Sequence, residues 1–134
     1  MVKTMIRLQL TGISVARVFQ VDPEKAWALL TDTVRWPGWG PSVRRVDCPE
    51  RHIRRGSRGR IRTPLGLSLP FVVTEYRHGR FWAWRVAGIP ATGHRLVPLG
   101  PAACRVSFEM PVFWLPYVPV CAAALKKMAP ILER

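Results

Sequence analysis

From Arg44 onward the chain is a succession of short segments in which apolar and polar side chains alternate. That period of two constrains the fold more than any other feature of the sequence. The run VRRVD reads as one strand and RGRIRT as the next, with Ile61 facing opposite to Arg58, Arg60 and Arg62. LSLPFVVTEYR reads as a longer strand with Leu67, Leu69, Phe71, Val73 and Glu75 on one face. Pro70 within it points to an edge position or a bulge. RFWAWRVAG aligns Trp82, Trp84 and Val86, TGHRLVPL aligns His94 and Leu96, and ACRVSFEMPVFW aligns Cys104, Val106, Phe108 and Met110. The breaks at His78-Gly79 and Gly100-Pro101 are too short for a crossover helix, so neighbouring strands must run antiparallel, as a meander. Nearer the N-terminus, ISVARVFQV alternates in the same way, with Ile13, Val15, Phe19 and Val21 on one face and Arg17 among them.

Helical signals flank the meander. In DPEKAWALLTD, Asp22 suits an N-cap, Pro23 the first helical position and Glu24 the positive end of the helix dipole. Trp36 and Trp39 follow in a turn-rich stretch with Pro37, Gly38, Gly40 and Pro41. Three residues apart on a second short helix or turn, they share a face. After Pro119 the tail is helical, with Cys121, Ala124, Leu125, Met128 and Leu132 in one stripe and Lys126 and Lys127 on the polar side. Pro130 should kink or end that helix. A sheet with one apolar face must cover it, and the C-terminal helix is the one large element left to do so. Twist and side-chain size keep the two from closing perfectly, and the gap is a pocket.

The chain has 134 residues and is read as a single domain, 1–134, large enough to bury a core without disulfides or metals. Cys48, Cys104 and Cys121 are odd in number, without a CxxC pair or zinc spacing, and are read as reduced thiols in a cytoplasmic protein. MVKTMIRLQLTG lacks the apolar core of a signal peptide. The longest uncharged run, Met110 to Leu125, holds three prolines and falls short of the ~20 residues of a membrane span. The net charge of +13 favours acidic partners. Eight arginines fall within residues 44–62, but aromatic side chains do not interleave with them on one face, as single-strand nucleic-acid binders require.

The segment VFQVDPEKAWALLTDTVRWPGWGPSV, followed by GSRGRIRT, FVVTEYRHGRFWAWRV and GHRLVP, resembles the polyketide cyclase/dehydrase branch of the START-like (SRPBCC) superfamily. The resemblance spans about residues 13–129. It implies a helix-grip α+β fold: a curved antiparallel sheet of about seven strands wrapped around a C-terminal helix, with two short helices after the first strand. It further implies a deep, mostly apolar cavity for lipids, polyketides, sterols or other hydrophobic molecules. Pro116, Pro119 and Pro130 interrupt a terminal helix that is usually continuous.

Arg17, Glu75 and His94 sit on faces that are otherwise apolar. Buried charges normally pair, so they form either an internal pair, Arg17–Glu75 or Glu75–His94, or the polar end of a ligand pocket. In the second case Glu75 or His94 would act as a base and Arg17 would stabilise an enolate or carboxylate. Trp36, Trp39, Phe71, Trp82, Trp84, Phe108 and Met110 are core side chains that double as cavity wall. No metal-ligand set, phosphate loop, dinucleotide fingerprint or Ser-His-Asp order is present, and no cofactor is expected. The expected function is binding or transport of a small hydrophobic ligand by a monomer or homodimer. The alternative is an aromatase/cyclase-type enzyme performing aldol cyclisation and dehydration on a polyketide-like substrate.

Overall fold

A computed structural model describes residues 4–9 and 12–133. The N-terminal segment read for a signal peptide therefore lies partly outside the described residues. The elements in order are β1 (Met5–Gln9), β2 (Gly12–Phe19), α1 (Pro23–Thr31), α2 (Trp36–Trp39), β3 (Arg45–Asp47), β4 (Arg58–Arg62), β5 (Ser68–Arg77), β6 (Phe81–Val86), β7 (Ile89–Gly100) and β8 (Ala103–Met110). A 3-10 helix (Val112–Tyr117) then leads into α3 (Val118–Leu132). The eight strands form one antiparallel sheet in the order β1-β2-β8-β7-β6-β5-β4-β3. This is the helix-grip α+β architecture, with one strand more than expected.

The additional strand is β1. It pairs with β2 from Met5↔Ala16 to Gln9↔Gly12, yet all five of its residues are exposed. Backbone pairing alone fixes it, so it leaves no burial pattern to read.

Local chemistry explains the helices. The Asp22 carboxylate accepts from the Glu24 amide at 2.9 Å, Pro23 opens α1, and Ala26, Trp27, Leu29 and Leu30 are buried beneath it. Asp32, just past α1, accepts from Arg51 through both oxygens (Nε to Oδ1, 3.1 Å, and to Oδ2, 3.2 Å; Nη2 to Oδ2, 3.0 Å) and from the Val34 amide at 3.0 Å. This clamps the long β3–β4 connection onto the α1–α2 corner. Burial works against ionisation of Asp32, but the Arg51 hydrogen bond, the Val34 amide and the nearby positive charges outweigh it and hold the carboxyl below its usual range.

The α3 stripe is as expected: Cys121, Ala124, Leu125, Met128 and Leu132 are all buried, and the helix packs against β2 and α2. Pro130 does not end it, for α3 continues to Leu132. Val112–Leu132 is 21 residues long and holds an 18-residue stretch of mean hydropathy 1.2, long and apolar enough by composition to cross a membrane. Here a 3-10 helix and an α-helix divide that stretch, and the α3 stripe serves the core.

Three strand details differ from the alternation pattern. β8 ends at Met110, and the VFW that follows belongs to the 3-10 helix. Pro70 lies in an interior strand, but beyond the last β5–β6 pair, Phe71↔Val86; it is paired with Arg60 of β4, and on the other side only its carbonyl is engaged, accepting from the Ala87 amide at 2.8 Å. The third is a register shift in β5: Val73 pairs with Trp84, but Glu75 pairs with Ala83, which leaves Thr74 as the extra residue. A bulge reverses which side chains point inward. Tyr76 is therefore turned toward the core and Glu75 outward, the reverse of the expected facing.

Candidate functional site

Between the sheet, the α2–β3 turn and the 3-10 helix lies an apolar cavity of about 300 Å³. Ile61 and Leu69 line it on one side, Val86, Ile89 and Ala91 on another, and Trp114 closes it from the 3-10 helix. A deeper recess of about 40 Å³ adjoins it beneath α3 and shares the side chains of Ser42, Trp84, Thr92 and Tyr117. The Ser42 and Tyr117 hydroxyls are hydrogen-bonded to each other at this junction. Lysine, arginine, aspartate and glutamate are absent from both linings.

Aromatic stacking builds the recess. Trp36, placed by α2, stacks on Trp82 of β6 with ring centroids 5.3 Å apart and planes 5° from parallel. His94 of β7 stacks on Trp82 at 3.8 Å and 13°. Trp84 meets Trp36 and Trp82 edge-on at 5.4 and 5.5 Å, and Trp39 tilts against Phe108 at 5.9 Å. Phe71 stands behind this group, 5.7 Å from Trp36 and 5.5 Å from Trp84. The Trp36 indole donates to the Leu30 carbonyl at 3.0 Å, which ties α2 to the end of α1. The indole N–H groups of Trp39 and Trp82 are buried without a hydrogen-bond partner among the described residues.

The polar groups of the recess satisfy one another in a chain. Trp84 Nε1 donates to Thr92 Oγ1 at 3.1 Å, and Thr92 Oγ1 lies 3.1 Å from His94 Nε2. His94 Nδ1 lies 3.3 Å from the Trp82 carbonyl. A carbonyl only accepts, so Nδ1 carries the proton and Nε2 accepts from the Thr92 hydroxyl. Burial pushes the His94 pKa down to about 3, only partly offset by the bond to the Trp82 carbonyl, and the imidazole is neutral at pH 7. Cys121, also in the recess, has its thiol pushed up to about 12 by burial and offers no thiolate. Burial likewise raises the Tyr117 phenol.

Of the sequence-derived candidates, Trp36, Trp39, Trp82, Trp84, His94 and Phe108 come together around the recess. Met110 is buried but lines neither the cavity nor the recess. Arg17 pairs with Val106 across β2–β8 and also lies outside both linings, its guanidinium carbon 5.8 Å from the Phe19 ring centroid. Its Nε has no hydrogen-bond partner among the described residues. Glu75 is on the outer face, where its charge acts on Arg95. Neither expected pair, Arg17–Glu75 or Glu75–His94, forms. Thr92, Ser42 and Tyr117 were missed. Thr92 was within reach, two residues before His94 on the same strand face, but Tyr117 was hidden because it falls between the last expected strand and the expected helix after Pro119, in a 3-10 helix that the sequence did not announce.

A larger concavity, about 640 Å³, lies on the opposite face of the sheet. It is open, and the Arg95–Glu109 ion pair, 2.6 Å from Nε to Oε2, crosses it. The smaller, uncharged cavity is the better candidate for a small-molecule site, because apolar side chains line it whereas charged ones line the larger concavity. Among the described residues no three His, Cys, Asp or Glu side chains converge to hold a metal ion.

Comparison with known proteins agrees with this architecture. The family model described as polyketide cyclase / dehydrase and lipid transport matches residues 11–130. No curated protein matches the chain. Among solved structures, a protein from Arthrobacter aurescens is similar with a TM-score of 0.70 at 13% identity, covering 96% of this chain and 91% of that one. A Chromobacterium violaceum protein is similar at 0.65 and 21% identity, covering 94% and 99%. The Aha1 dimer from Colwellia psychrerythraea is similar at 0.67 and 19% identity, covering 91% and 96%. At such identities these likenesses speak to the fold.

Proposed function

The chain belongs to the polyketide cyclase / dehydrase and lipid transport family, and from that premise we propose that it binds a small, uncharged hydrophobic molecule without transforming it. One observation carries the reading: the cavity is apolar and aromatic, and its inner polar groups, Trp84, Thr92 and His94, are already bonded to one another. A charged ligand would meet no counter-charge there, and an isolated charge in such a site is costly. A volume of about 300 Å³ suits a small guest such as a bicyclic aromatic or a medium acyl group. Trp39 and Trp82, whose indole N–H groups lack partners among the described residues, line the adjoining recess of about 40 Å³, which has room for a water and not for the guest. The three free thiols suit a reducing compartment.

Binding of an uncharged naphthylamine probe tests this. Ala91→Trp fills the cavity and is expected to weaken the probe at least tenfold, about 1.4 kcal/mol. Equal binding by both proteins would remove the cavity as the site. Native mass spectrometry of protein purified from its host should show the guest directly.

The cyclase alternative needs a proton acceptor. The Nε2 lone pair of His94 is engaged by Thr92, its pKa is about 3, and Glu75 is on the other face. A poly-β-ketone mimic should therefore be recovered unchanged. Turnover that vanishes in His94→Ala would replace the carrier reading with the enzymatic one.

A further inference from the structure

The mouth of the cavity is bordered by side chains that a folded chain does not normally leave in water. Among the described residues, eleven large apolar side chains are substantially exposed, and six of them, Leu65, Leu67, Ile89, Val112, Phe113 and Leu115, belong to the three elements that form this mouth. Leu65 is 89% exposed at the tip of the β4–β5 hairpin, whose flanking Thr63 and Leu69 line the cavity. Ile89 begins β7 beside the β6–β7 turn. Phe113, 64% exposed, precedes Trp114, which lines the cavity and donates from its indole to the Pro90 carbonyl at 2.9 Å. Three apolar tips thus surround one opening.

Arginines of the same hairpins flank these tips from the other face of the sheet, opposite the cavity-lining Ile61. Arg60 grips Ser68 through Nε to Oγ at 2.9 Å and Nη2 to the carbonyl at 3.0 Å, just beyond the Leu65 loop. Arg62 pairs across to Ser68 on one side and Arg45 on the other. Arg85 reaches the Gly88 carbonyl of the β6–β7 turn at 3.2 Å. Among the described residues of β3 and β4 the single carboxylate is Asp47, and it is paired with Arg45 at 3.4 Å. Nucleic acid fits this surface less well, since the arginine face of β4 carries no aromatic side chain on which a base could stack.

We infer that this mouth docks on an anionic lipid bilayer, with Leu65, Ile89 and Phe113 entering the headgroup boundary and the arginines resting on acidic headgroups. Apolar insertion and electrostatic attraction together are what interfacial binding requires. Docked this way, the opening faces the membrane interior, and a hydrophobic guest passes between bilayer and cavity without crossing water. The docking itself rests on the exposed side chains and not on what occupies the cavity.

Flotation with vesicles of phosphatidylcholine alone and of phosphatidylcholine with phosphatidylglycerol tests it. The protein is expected to float with the anionic vesicles, weakly with the neutral ones, and to be released by salt. Leu65→Ser with Phe113→Ser should lower anionic-vesicle binding at least roughly tenfold, with melting temperature and naphthylamine affinity unchanged. Arg62→Glu should lower it as well. Absence of flotation overturns the inference, as does undiminished flotation of the double serine variant, which would reduce the effect to general charge attraction. Retention of single-stranded DNA without vesicle binding also overturns it. Vesicle binding by a protein that takes up no probe would sink the proposed ligand function and leave docking intact.

Discussion

His94 is held neutral by the rings around it, and this makes the stability of the protein depend on pH in a defined window. Its folded pKa, about 3, lies below the ordinary 6.5. Between those values the unfolded chain takes up a proton that the folded chain refuses, so stability falls as pH drops from 6.5 toward 3, by about 1.4 kcal/mol per unit. Urea titrations at pH 7, 5 and 4 should show this loss, and His94→Asn should flatten it. Asp32 acts lower on the scale. Its depressed carboxyl contributes stability above the ordinary 3.8, and that contribution disappears as pH falls through its folded value. Thr92→Val should leave Nε2 of His94 and the Trp84 indole without partners, at about 1–3 kcal/mol of stability. At this scale the sequence identifies polar residues on apolar faces but not their partners. His94 and its ring neighbours were legible from alternation. Thr92 was passed over because threonine is ordinary in a strand, and Arg51 because its carboxylate lies nineteen positions away.

Strands and turns impose their own conditions. Gly59 lies opposite Phe71, and a Cβ there would come 2.2 Å from the Asp47 carbonyl and 2.9 Å from the Phe71 ring. Backbone cannot yield as a side-chain tip can, so Gly59→Ala should destabilise by about 2–3 kcal/mol, read as a fall in melting temperature. The β6–β7 hairpin turns on Ala87 and Gly88, both with positive φ, 52° and 78°. This two-residue turn matches the twist of its strands, but alanine is a poor occupant of its first position. Ala87→Asn should stabilise by about 0.5–1 kcal/mol. Alternation located the strands because each buries one face. It failed at Glu75 because Thr74 adds a residue to β5 without breaking the polar run, and the reversal shows only in the pairing with Ala83.

For the molecule as a whole, the decisive relation is one helix against one sheet face. Leu125 of α3 is fully buried at the centre of that contact, and Leu125→Ala should cost about 2–5 kcal/mol, measurable by urea denaturation. The grip was legible because a one-sided sheet and a striped tail leave a single way to close. The division of the hollow was not, since it depends on how six tryptophans and their neighbours pack.

β1, at the end of the sheet, has another consequence. Among the described residues its outer rim of amides and carbonyls meets no further strand, and its five side chains are all exposed. With Arg7 as its one charge, such a rim invites a second copy to extend the sheet hydrogen bond by hydrogen bond. How concentrated the protein can be kept before copies zipper together is therefore set at β1, and Ile6→Lys should raise that ceiling in light-scattering measurements.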